Sequence, residues 1–145
     1  MMTRGVLSAV LAIACMAGAS AQSKPNFAGK WKAADSFNTW TITVQGNTMT
    51  VTVTMAGNSE STVYLLDGTP SKKSIEGPNG LMENVYTSRW EGDVLVTTIK
   101  TAFGTTLIEK RSIQPDGTMM VQTTLILEGR PSPPPGPGQI LKKIG

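Results

Sequence analysis

Few side chains in this sequence are equipped for bond-making chemistry: it has no histidine and a single cysteine, Cys15. The commonest general base and metal ligand is therefore missing, and a thiol exists only near the N-terminus. Catalysis would rest on carboxylates, lysine or tyrosine, with Glu83, Glu109 and Tyr86 as the candidates. Asp67, Asp93 and Asp116 each stand beside a glycine, where they are explained by the dihedral angles of tight turns. Glu109 and Arg111 differ. Strand alternation puts them on one face with Leu107 and Ile113, and a buried charge is normally a paired one. Such a pair is either a polar contact inside a ligand cavity or a contact at the strand's end, facing water or closing the floor of the fold. No metal or cofactor site is predicted.

Aromatic and methionine side chains supply the second group of candidates. Met82, Tyr86 and Trp90 recur every four residues, with Asn84 and Ser88 between them on the same strand face. Large rings mixed with amide and hydroxyl groups suit a small-molecule pocket. Plain core packing is the competing reading, because small barrels fill their interior with side chains. Trp40, Met49 and Met55 share faces with β-branched residues in an earlier stretch, where methionine fills gaps under either reading. The candidate ligand-binding residues are Trp40, Met82, Tyr86, Trp90, Glu109 and Arg111.

The elements that must position these residues are strands. Thr39 to Gln45 alternates strictly, with Trp40, Ile42 and Val44 opposite Thr39, Thr41 and Thr43. Gly46-Asn47 follows, and Thr48 to Met55 alternates again. Two period-two runs across a two-residue Gly-Asn loop predict a hairpin. The pattern continues through Glu60 to Leu66, a weak polar stretch from Thr69 to Glu76, and Leu81 to Trp90. Val94 to Thr101, Thr105 to Ile113, Thr118 to Leu127 and a last short run, Gln139 to Ile144, complete it. No helix is predicted after residue 22.

Tight sequential turns imply antiparallel neighbours, since a parallel pair needs a long crossover. So many strands in one small domain must close on themselves or leave exposed edges. The expected fold is all-β: a small antiparallel up-and-down β-barrel of about eight or nine strands over residues 22–145. A β-sandwich is the alternative. The Pro-rich loop at 128–138 is the one place where a crossing strand connection could occur. It otherwise reads as a semi-rigid spacer or, less simply, as a polyproline surface for a partner.

Phe27-Ala28-Gly29-Lys30-Trp31 resembles the opening strand of lipocalins and fatty-acid-binding proteins, whose glycine-x-tryptophan ring plugs the barrel floor. Four further segments, in the same order, are similar to a group of small secreted bacterial lipocalin-like proteins of mostly unassigned function. They are Tyr64 to Gly68, Arg89 to Val96, Glu109 to Thr118, and Ile140 to Lys143. The resemblance implies a lipocalin-like barrel and an exported protein. Lipocalins proper pair the tryptophan with a late arginine, and Arg111 and Arg130 compete for that part here. The second lipocalin loop motif is absent, and the resemblance supplies no ligand.

Arg4, the apolar run Val6 to Met16 and Ala19-Ser20-Ala21 read as a signal peptide over residues 1–21, cut before Gln22. The apolar run is too short to span a bilayer. The expected location is periplasmic or secreted; the alternative is a lipoprotein anchored to the membrane through Cys15. The formal net charge of +3 is too slight to argue for nucleic acid. Lys72-Lys73 and Lys142-Lys143 read as solvated strand or loop ends. The function expected is a binding module for a small apolar or amphipathic molecule. The alternative is an envelope interaction or inhibitor-like protein with a solid core, and an enzyme ranks last.

Overall fold

The computed structural model describes residues 24–145. The expected signal peptide, its cleavage site and Cys15 lie outside the described residues. Ten strands form: β1 (Gly29–Ala33), β2 (Thr39–Gln45), β3 (Thr48–Met55), β4 (Asn58–Leu65) and β5 (Ser71–Gly77), then β6 (Gly80–Glu91), β7 (Val94–Lys100), β8 (Thr106–Ile113), β9 (Met119–Ile126) and β10 (Gln139–Lys143). They make one sheet in the order β4-β3-β2-β1-β10-β9-β8-β7-β6-β5. Consecutive strands are hairpin neighbours, with the exception of β4 and β5, and β1 pairs with β10 to bring the first and last strands together. The fold is therefore an antiparallel up-and-down barrel, nearly closed.

Two expectations are corrected. The strand count is ten rather than eight or nine, because the polar stretch after Thr69 pairs in full register with β6 as β5. The β-sandwich alternative fails because every strand belongs to one sequential sheet. The Pro-rich loop hides no crossing: it delivers β10 beside β9.

The Thr39–Met55 hairpin forms as the alternation dictates, Gln45 facing Thr48 across the Gly46-Asn47 turn. The next turn, Ala56-Gly57, needs positive φ at both residues, 47° and 85°. That geometry matches the right-handed twist of the strands it joins. Gly29 opens β1 at φ 138°, and a Cβ there would meet the Lys143 side chain at 2.7 Å. Glycine lets the first strand enter the wall two residues before Trp31.

Alternation turns Trp31, Ile42, Met49, Val51, Tyr64, Leu95, Met119 and Leu141 inward, where they form one core with Phe27. Trp31 and Phe27 are both buried, and the Trp31 Nε1–H donates to the Phe27 carbonyl at 2.9 Å. Burying each such ring contributes about 2–3 kcal/mol, and the hydrogen bond satisfies the indole's polar edge. These rings close one end of the barrel, together with the 24–28 segment that crosses it. The opposite end is formed by the connections at 34–38, 56–57, 78–79, 101–105 and 127–138.

The wall has one seam. Among the described residues, β4 and β5 share no backbone ladder, and side chains bridge them instead. The Lys73 ammonium donates to Thr62 Oγ1 and pairs with Glu60, each at 3.1 Å. The Tyr64 and Tyr86 rings meet edge to face, 5.5 Å between centroids.

Candidate functional site

The middle of the barrel is polar. Arg111 on β8 and Glu109, two residues earlier, face inward and pair at 2.9 Å with side chains only 4% and 14% exposed. The β8 strand places them so because Thr97 and Leu95 of β7, and Thr123 and Val121 of β9, lie opposite them on the same face. The guanidinium reaches across the lumen to β4, where its carbon stands 5.8 Å from the Tyr64 ring. One Nη contacts Met119 Sδ at 3.5 Å, while Nε, fully buried, has no hydrogen-bond partner among the described residues. Beside this group the buried Ser88 and Thr97 hydroxyls bond each other at 2.8 Å.

Electrostatics follow from the burial. Loss of water around Tyr64 pushes its phenol well above the ordinary value of 10.0, and the Glu109 carboxylate adds to the rise. Arg111 acts in the opposite sense and does not cancel it. Tyr64 is therefore a neutral hydroxyl at any physiological pH.

Four of the six candidate residues divide between this layer and the apolar end. Tyr86, Glu109 and Arg111 come together through Tyr64, which was not among the candidate ligand-binding residues. Trp90 faces inward but lies at the closed end, stacked on Phe27 at 5.8 Å and 9°, with the Lys24 ammonium over its ring. Met82 shares the strand face and sits near the opposite end, its side chain over Gly77. Eight residues of strand put Met82 and Trp90 about 26 Å apart, so they do not line one pocket. Trp40 is inward and half-buried, between Trp31 of β1 and Val53 of β3.

Two side-chain roles differ from expectation. Neither Arg111 nor Arg130 covers Trp31; Lys143 of the last strand does, 5.7 Å from the ring. Lys73 is not a solvated strand end but turns inward to Glu60, whereas Lys72 does face solvent and reaches outward to Glu83. Glu83 is thereby removed from the interior, and the three catalytic candidates are not assembled. The signal for Tyr64 lay in its phase: it alternates with exposed Val63, which a polar strand made hard to read.

The interior meets solvent at the end away from Trp31. Thr123 faces inward opposite Glu109 and is nevertheless exposed. The cause is the shortness of β1 and β10, which stop at Ala33 and start at Gln139 and leave β9 unpaired on that side beyond Val121. An outer cleft of about 370 Å³ lies at the closed end, between the 24–28 segment, Gly46-Asn47, Leu66 and Trp90.

No protein-family model matches the chain, and no curated protein matches it in sequence. Solved structures match its fold. A secretory abundant heat soluble protein from Ramazzottius varieornatus is similar at TM-score 0.58 and 11% identity over 81% of this chain and 95% of its own. A second protein of that type from the same organism gives 0.57 and 13%, over 81% and 94% of the two chains. The REP1-NXSQ fatty acid transporter gives 0.56 and 14%, over 81% and 96%. At this identity the likeness defines the fold alone.

Proposed function

We propose that the protein is an exported carrier or sequestering module for a small amphipathic molecule held inside the barrel, and that it has no catalytic role. The observation that carries this reading is Arg111: a nine-tenths-buried guanidinium with a spare N–H, set in a lumen that is sealed at the Trp31 end and wet at the other. A buried polar group without a protein partner calls for an explanation. A ligand's polar group at that depth supplies one. Its apolar part would lie along Trp40, Val53, Leu107 and Val121, which pack against the core without being fully buried. The fatty acid transporter among the fold neighbours is compatible with a hydrophobic cargo.

The test is tryptophan fluorescence during titration with dodecanoate and 1-monolauroylglycerol. The expected result is a saturable change with at least one of the two, which Trp40→Phe removes and Trp90→Phe leaves. No change with either amphiphile, or a change carried by Trp90 alone, would move the reading to an interaction protein with a filled core. One observation favours that second reading: Phe37 and Phe103, in the loops around the wet end, are 97% and 66% exposed.

A further inference from the structure

Resting on the reading that the lumen holds an amphiphile, we infer that Glu109 selects the ligand by charge: it admits a neutral polar head group and rejects a carboxylate. Above the Trp31 floor, the charged side chains that alternation turns inward are Lys73, Glu60, Arg111 and Glu109. They form two closed pairs, at 3.1 Å and 2.9 Å. Among the described residues, the lumen above the floor and its Lys143 thus carries two cations and two anions, and no unpaired cation stands at the depth of Arg111 to neutralise an incoming acid.

The pair at Arg111 decides the matter because it is the buried one. A carboxylate approaching the guanidinium would share one cation with Glu109 Oε1, already 2.9 Å from Nη2. Two carboxylates in so dry a place repel strongly, and one must protonate or leave. A cationic head meets the mirror problem against Arg111. An ester, amide or alcohol oxygen meets neither. It accepts the N–H at Nε, which the protein leaves unpartnered, and the neutral Tyr64 phenol and the Ser88–Thr97 hydroxyls surround it without adding charge. Specificity here comes from a repulsive element as much as an attractive one.

The experiment compares heads on one chain length: 1-monolauroylglycerol, dodecanoate and dodecyltrimethylammonium, titrated at about pH 8, where the acid is ionised. The wild-type protein should bind the glycerol ester about tenfold or more tighter than either ion. In Glu109→Gln the dodecanoate affinity should rise about tenfold while the ester changes little, and dodecanoate should raise the melting temperature of the variant more than that of the wild type. Dodecanoate binding the wild type as tightly as the ester overturns the selectivity and leaves the carrier reading intact. Binding of none of the three overturns the carrier reading itself. Because the head-group order is read on the wild type, the inference stays open to refutation even where Glu109→Gln fails to fold.

Discussion

The two ends of the barrel share the same strands and alternation, yet they are finished differently. At the closed end Phe27, Trp31, Met49 and Met119 are almost without exposure, and the polar edge of Trp31 is satisfied inside the protein. At the wet end the inward positions carry Thr123, Glu60 and Met55, all of them exposed. The closed end is a packed core in the ordinary sense, where each methylene removed costs transfer energy and leaves a void. The wet half has less such packing to lose, Ala33 and Ile99 being its buried members, at 7% and 8% exposure. Tight packing is thereby concentrated in one half of the sheet and solvent access in the other.

Mutations should separate the halves. Trp31→Ala should cost about 3–5 kcal/mol, read as a lower urea midpoint, and should leave little folded protein at physiological temperature. A loss under about 1 kcal/mol would mean that the floor is not the core. Next comes the ion pair between the halves. Arg111→Met strands the Glu109 carboxylate and should cost about 3 kcal/mol, whereas Arg111→Met with Glu109→Leu should recover much of it. A double-mutant cycle measures the difference, and strict additivity would show that the two charges do not interact.

Tyr64 gives a pH signature. Its folded pKa is raised above the ordinary 10.0, so below that value both states are neutral and no stability is lost. Above it the unfolded chain ionises first, and stability should fall by about 1.4 kcal/mol per pH unit. Tyr64→Phe should flatten that alkaline slope in urea titrations. Smallest is Lys73→Met at the seam, where Glu60 is 62% exposed. The expected cost is below about 1 kcal/mol, with faster amide exchange along β4 and β5 and none at the Trp31 floor.

Most of the architecture was legible from alternation and turn chemistry. The Thr39–Met55 hairpin and the inward phase of Trp40, Tyr86 and Arg111 follow from period-two patterns. What was not legible depends on distance in the chain. β5 reads as polar because it is an outer strand with one unpaired edge, and Lys73 reads as solvated because its partner, Glu60, lies across a seam that no local pattern announces. The separation of Met82 from Trp90 could be counted along one strand. The meeting of Arg111 with Tyr64 could not, since it spans the lumen from β8 to β4. Lys143 rather than an arginine covers Trp31 because β10 happens to register Lys143 opposite it.

The pairing of β1 with β10 also sets the order in which this molecule can be made. Trp31 waits for Lys143, about 110 residues downstream, so β1 gains its second neighbour only after every intervening strand has been synthesised. Until then two bare strand rims face the surroundings, and the unfinished barrel is open to edge-to-edge association.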